Sequence, residues 1–254
     1  MFAQRIKQIL AEAEVGSTIS ISGWVQKKQK RSTFTFIDLN DGSSLQGLQI
    51  IIDNDVEGYE DFVRLSRVGA SVQAEGNIVE SQGKQRIEMH ATAVTVLGTV
   101  ADDYPIQAKR QTPEFLREKA HLRARTKIMS ASMRVRSNAA QAIHSFFKKH
   151  DFAYVHTPII TASDCEGAGE MFSVTTMLPE DTKKPLPRTP DGKIDFNKDF
   201  FGKHTGLTVS GQLQVESFSV SMSDAYTFGP TFRAEVSHTS RHLAEFWMIE
   251  PEIA

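Results

Sequence analysis

The 254-residue chain carries a formal net charge of −2, with 40% hydrophobic and 24% charged residues, the balance of a globular protein of one large or two small domains. Its single cysteine, Cys165, excludes an internal disulfide and fits a reducing compartment. No apolar run approaches the roughly 20 residues of a membrane span, and the N-terminus lacks the apolar core of a signal peptide, so a cytoplasmic location and no membrane partner are expected.

Phe2, Ile6, Ile9, Leu10 and Ala13 recur at helical spacing. The next stretch, to residue 100, reads as strands over 18–26, 33–39, 45–53, 70–79 and 85–97, with a helix over 58–68. Asn40-Asp41-Gly42 predicts a tight hairpin, because such turns need positive φ. Five strands with a helix between the third and fourth is the order of an OB-fold barrel, which binds oligonucleotides on its strand 2–3 face. A small β-sandwich is the alternative.

Alternation assigns the side chains. If Ile37, Leu39, Leu48, Ile50 and Ile52 fill the barrel, Phe34, Phe36 and Gln49 lie outside, near the basic cluster Lys27, Lys28, Lys30 and Arg31. Exposed aromatics, an amide and cations suit base stacking, base-edge reading and phosphate contact. The inverted register would instead bury both Phe residues.

A polar linker follows near 98–112, and Thr112-Pro113-Glu114 marks a helix start. Residues 101–150 hold eleven Lys or Arg against four Asp or Glu, a phosphate-binding patch or a solvated helix face. A long helix is expected over 126–149 on the spacing of Ile128, Val135, Ala139, Ile143 and Phe146. Then come a β-rich segment at 153–161 containing Pro158, a Pro- and charge-rich excursion at 178–200, a helix over 212–223, and strands near 226–235 and 244–250. The sequence holds no P-loop, dinucleotide fingerprint, zinc spacing or nucleophile elbow.

The run YTFGPTFRAEVSHTSRHLAEFWMIEPE (226–252) resembles motif 2 of class II aminoacyl-tRNA synthetases. Its nearest likeness is the bacterial asparaginyl type, which groups with the aspartyl and lysyl enzymes. Three more stretches agree in order: GWVQKKQKRSTFTFIDLNDGSSLQGLQIIID, TPIITASDCEGAGEMFSVTT and FFGKHTGLTVSGQLQVESF. The resemblance implies an α+β protein: an OB-fold anticodon-binding domain over 1–100, a hinge over 101–125, and over 126–254 the first part of an antiparallel-sheet catalytic domain. Motif 3 would fall beyond Ala254, so the chain resembles the N-terminal half of such an enzyme and should be inactive alone.

Such enzymes join an amino acid to ATP as an adenylate, then esterify the tRNA. An in-line attack on the α-phosphate needs positioning and charge stabilisation but no protein nucleophile. The resemblance implies that Arg233 holds the α-phosphate and the amino-acid carboxylate, with Glu235 on the nucleotide side and Phe246 stacking on adenine. Arg241 and His242 would meet the outer phosphates or the tRNA end. Glu166 would meet the substrate ammonium, and Ser210, Gln212 and Glu250 would complete the amino-acid pocket. Lys28, Lys30, Arg31, Phe34, Phe36 and Gln49 would bind the anticodon, and Pro158 matches the proline of the dimer-forming motif 1. Expected partners are asparagine, ATP, the tRNA for asparagine and a second copy of the chain; Mg²⁺ would be held mainly by residues beyond Ala254.

Asparagine is expected over aspartate because Val215 stands where the aspartyl relatives carry a lysine, while Glu250 offers an acceptor to an amide. Val236 and His238 depart from the asparagines of the family pattern. Three readings stay open: a ligase represented by an incomplete chain, a non-catalytic tRNA-binding paralogue, and an aspartyl-specific or amino-acid-synthesising relative.

Overall fold

The computed structural model describes residues 4–254 except 164, 166–169, 181–182, 237–238 and 240. The chain divides into two compact units, 1–137 and 138–254.

In the first unit β1 (Thr18–Lys30), β2 (Phe34–Asn40), β3 (Leu48–Asp53), β4 (Ser71–Glu80) and β5 (Ile87–Gly98) close a barrel in the order β1-β2-β3-β5-β4. Closure leaves no open sandwich edge. The expected alternation holds: Ile37, Leu39, Leu48, Ile50 and Ile52 are fully buried, while Phe34, Phe36 and Gln49 are half-buried on the outside. Each fully buried aliphatic side chain contributes roughly 1.5–3 kcal/mol. Helix α1 (Ile6–Glu12) adds Ile6 and Ile9 to this core, and α2 (Tyr59–Leu65) adds Phe62 and Tyr59.

The Asn40-Asp41-Gly42 expectation is corrected in length. The connection between β2 and β3 spans seven residues, 41–47, rather than a two-residue turn. Asn40 Oδ1 accepts from the Gly42 N–H at 2.7 Å and Asp41 Oδ1 from the Ser43 N–H at 2.9 Å, while Gly42 takes φ +81°. These side chains build local turns at the start of a longer loop.

Helix α3 (Pro113–Glu118) begins where expected, with Thr112 Oγ1 accepting from the Phe115 N–H at 3.3 Å. Helix α4 (Lys127–Lys149) also forms, and the division between the units falls within it. None of its residues is fully buried, and Ile128, Val135 and Phe146 are 63%, 68% and 57% exposed. The stripe that sets the helical period is therefore not a core stripe within this chain.

In the second unit the β-rich segment reduces to two short pairings, β6 (Ala153–Tyr154) and β7 (Ile160–Thr161). Strand β7 joins β9 (Thr205–Leu207) and β8 (Ser173–Val174) in a small antiparallel sheet. The main sheet pairs β10 (Ala225–Phe232) antiparallel with β11 (Glu245–Glu252) and parallel with β6, while helix α5 (Gln212–Met222) packs on β10 and β11. Tyr226 of β10 meets α4 through a hydrogen bond with His144 Nδ1 at 2.7 Å and a stacked contact with Phe147.

Candidate functional site

The outer face of β1–β3 is laid out in cross-strand rows. Asp38 stands between Lys27 and Gln49, and Phe36 between Gln29 and Ile51. Phe34 pairs with Asp53 and accepts at its carbonyl from the Arg31 N–H at 2.8 Å. Phe34, Phe36, Gln49 and the Arg31 segment are thus brought to one face. A register shift between Val25 and Lys27 reverses the side-chain parity of the end of β1. It sets Lys27 and Gln29 beside the aromatic row, and Lys28 and Lys30 opposite the buried residues Ile37 and Thr35.

Lys28 is therefore corrected as a phosphate ligand. Its ammonium donates to the carbonyls of Phe62, Val63 and Ser66 and to Ser66 Oγ, at 2.9–3.3 Å, and lies over the Phe62 ring. It closes the C-terminal end of α2, where carbonyls lack helical partners. Burial first, then Lys30 and Arg67, lower its pKa to about 8. Lys30 keeps an exposed side chain. No spacing signal in the sequence reveals this bulge. Asp38 is equally constrained: burial, outweighing nearby Lys127, raises its carboxyl pKa, and its Oδ1 has no hydrogen-bond partner among the described residues.

In the second unit the strand pair β10–β11 presents one face. Phe246, Met248, Glu250 and Glu252 alternate as half-buried residues, with Trp247 and Ile249 exposed on the other side. Glu250 sits opposite Thr227 and accepts from Ser210 Oγ and from the Gly211 N–H, the latter at 3.0 Å. Ser210 Oγ in turn accepts from the Gln212 N–H at 3.1 Å. A Cβ on Gly211 would lie 2.7 Å from Thr157 Oγ1, 2.8 Å from Thr227 Cγ2 and 3.3 Å from Glu250 Oε2. Gly211, not singled out by sequence reasoning, is what lets the carboxylate reach the backbone. Gln212 Nε2 donates to Glu216 at 2.9 Å, and Gln212 Oε1 lies 3.6 Å from Cys165 Sγ.

At the other end of the strand pair, the Arg233 N–H donates to the Ala244 carbonyl at 3.1 Å, and the guanidinium carbon lies 5.6 Å from the Phe246 ring centre. Arg233 Nε is buried with no hydrogen-bond partner among the described residues. Glu235 and Arg241 are exposed, as is His242, whose Nδ1 lies 2.9 Å from Thr239 Oγ1. Pro158 is exposed between β6 and β7. Glu166 and His238 lie outside the described residues. Among the described residues no three His, Cys, Asp or Glu side chains converge on a metal position, and no helix is long and apolar enough to cross a membrane.

A closed barrel with an aromatic outer face is thus followed in the chain by a strand pair that sets an arginine against a phenylalanine. A family model described as "tRNA synthetases class II (D, K and N)" matches residues 112–254, and one described as "OB-fold nucleic acid binding domain" matches 19–97. The chain belongs to the class II tRNA synthetases of the D, K and N group. Within that group it is similar to curated asparagine–tRNA ligases. Identity is 53% over 99% of the chain with that of Thermosynechococcus vestitus, and 55% over 95% with that of Protochlamydia amoebophila. The chain spans about half the length of these relatives, 54% and 51%. A crystal structure of asparaginyl-tRNA synthetase from Pyrococcus horikoshii, complexed with asparaginyl-adenylate, matches all of this chain and 53% of its own. Its TM-score is 0.79 and its identity 25%.

Proposed function

We propose that this chain supplies the anticodon-binding barrel and the first part of the catalytic site of an asparagine–tRNA ligase. Residues 1–100 bind the anticodon, 101–125 form a hinge, and 126–254 carry motifs 1 and 2. The observation that carries the reading is the pairing of Arg233 with Phe246 on the same strand pair that carries the braced Glu250. A guanidinium whose buried Nε has no partner among the described residues and which lies over an aromatic ring is ready for an anion held next to a stacked base. The asparaginyl-adenylate complex that matches the whole chain supports it.

In the reaction the carboxylate of asparagine attacks the α-phosphate of ATP, an acyl-phosphate bond forms, and pyrophosphate leaves. Arg233 holds both reacting anionic groups and offsets their repulsion. Phe246 stacks on adenine, and Glu235 lines the nucleotide side. Arg241 and His242 meet the outer phosphates or the tRNA end. Glu166 meets the ammonium, and Ser210, Gln212 and Glu250 form the amino-acid wall. Mg²⁺ is usual beside ATP phosphates and would be held mainly by residues other than those described, among which no three candidate ligands converge. The exposed apolar residues Ile128, Val135 and Phe146 of α4, with Pro158 nearby in sequence, support a homodimer interface. A cytoplasmic location agrees with the single cysteine.

The test is aminoacylation of asparagine tRNA, with a panel of amino acids, by the ligase that contains this chain. Asparagine alone should be attached. Charging with aspartate at a similar kcat/KM would overturn the reading, and so would the release of free asparagine.

A further inference from the structure

The turn between β4 and β5 reaches the candidate base-reading strand through one side chain. Gln85 Oε1 accepts from the Gln49 N–H at 3.2 Å, and Gln85 Nε2 donates to the Gly47 carbonyl at 2.7 Å. One side-chain amide thus takes both the N–H of one residue and the C=O of the residue two before it, as the N–H and C=O of a single residue on a parallel neighbouring strand would. The start of β3 uses this substitute because its backbone ladder to β5 covers only Ile50↔Met89 and Ile51↔His90.

The turn itself is ordered from within. The Ser81 N–H donates to the Arg86 carbonyl at 3.2 Å, and Ser81 Oγ accepts from the Gly83 N–H at 3.0 Å and donates to Glu88 Oε2 at 2.8 Å. Its tip stands beside the Gln49 side chain, since a Cβ on Gly83 would lie 3.6 Å from Gln49 Oε1. Gln49 is therefore held between Asp38 across the strand pair and this turn.

We infer that Gln85 is a positioning residue for base recognition: by fixing the backbone of Gln49 it sets the direction in which the Gln49 amide meets a base edge. The inference rests on the anticodon-binding reading of the β2–β3 face. Gln85 carries no charge and both halves of its amide are engaged, so it adds nothing to phosphate attraction. Its effect falls on discrimination between bases, which depends on the orientation of a donor–acceptor pair, rather than on overall affinity.

The experiment measures binding of the 254-residue chain to the anticodon stem–loop of asparagine tRNA and to loops with one anticodon base replaced, by fluorescence anisotropy. Gln85→Ala should lower the ratio of cognate to substituted affinity roughly tenfold, the worth of one oriented base-edge contact, with affinity for the substituted loops and the thermal midpoint unchanged. Gln85→Glu keeps the acceptor for the Gln49 N–H but loses the donor to Gly47, and should retain part of the ratio. An unchanged ratio in Gln85→Ala, while Phe36→Ala weakens every loop, would overturn the positioning role and leave the anticodon reading standing. Equal weakening of all loops by both Gln85 variants, with a lowered midpoint, would make Gln85 merely structural. If Phe36→Ala binds every loop as tightly as the parent, the anticodon reading falls and takes this inference with it.

Discussion

Ser210 donates its hydroxyl hydrogen to Glu250 across forty positions of sequence, tying the loop before α5 to the second strand of the motif 2 pair. The same carboxylate accepts the Gly211 N–H, so Glu250 braces this loop whatever its part in the proposed amino-acid choice. Ser210→Ala is expected to cost about 1.5–3 kcal/mol, the usual range for a hydrogen bond to a charged group. Gly211→Ala should do at least as much damage, because its new methyl meets Thr157, Thr227 and Glu250 together. Urea denaturation of the two variants checks both; wild-type midpoints would show that the loop is held by other contacts.

Lys28 supports a second expectation, opposite to the one its basic neighbourhood suggests. Lys28→Met should lower the stability of the barrel by about 1–2 kcal/mol, through loss of the hydrogen bonds that satisfy the carbonyls at the end of α2, while leaving RNA affinity unchanged. Because its pKa falls from 10.5 to about 8 on folding, the unfolded chain binds more protons between those values. Stability should therefore rise with pH from about 8 to 10.5, and Lys28→Met should flatten that rise. Thermal melts over this range, with parallel RNA titrations, read both effects.

Much of this was legible in the sequence, and the exceptions have local causes. Alternation in 33–39 and 45–53 placed Ile37, Leu48 and Ile50 inside and Phe36 and Gln49 outside, because one buried face fixes strand parity. At the end of β1 the bulge beyond Val25 leaves no compositional trace, so the basic run 27–31 reads as one cationic cluster although the Lys28 ammonium closes α2. The Asn40-Asp41-Gly42 signal was real as local turn chemistry, but seven residues separate the strands. Glu250 was readable only through resemblance to motif 2. Its brace was not, since residues so far apart in sequence show no joint pattern. The side-chain ladder from Gln85 was invisible for the same reason.

On the barrel, stacking and charge should separate cleanly. Phe36→Ala should cost about 1–3 kcal/mol of RNA binding at any salt concentration, the worth of one base–aromatic stack. Arg31→Ala and Lys27→Ala should instead reduce the slope of affinity against salt by about one counterion each. Filter binding from low to moderate salt distinguishes the two patterns. A salt-dependent Phe36→Ala defect would mean that the ring supports a phosphate site instead of a base.

Glu252 makes the end of β11 sensitive to acid in a defined direction. Burial first, then the neighbouring carboxylates Glu216 and Glu250, raise its pKa above 4.5. The folded state therefore holds this proton more tightly than the unfolded one, so the charge costs stability above the folded value, and the cost is relieved as pH falls through that value towards the unfolded one. Glu252→Gln should raise the thermal midpoint near pH 7.5 and lose that advantage by about pH 4.5. An unchanged or lower midpoint at pH 7.5 would show that the carboxylate is compensated.

Arg233 is the strictest test of the chemistry. Its backbone is fixed by the Ala244 carbonyl and its guanidinium faces Phe246, with Nε unpartnered among the described residues. A planar fork can hold the α-phosphate and the amino-acid carboxylate at once, whereas a lysine ammonium is a point charge that must choose between them. In the proposed full-length ligase, Arg233→Lys should thus reduce asparagine-dependent pyrophosphate exchange by several orders of magnitude, since each 1.4 kcal/mol of lost transition-state stabilisation is tenfold in rate. tRNA affinity should stay at the wild-type level, because the barrel is untouched. Phe246→Leu should act differently, raising the KM for ATP more than it lowers kcat, as a group that binds the ground and transition states alike would do. Exchange in Arg233→Lys within tenfold of wild type would remove the guanidinium from the reacting centre and assign it a structural place between β10 and β11.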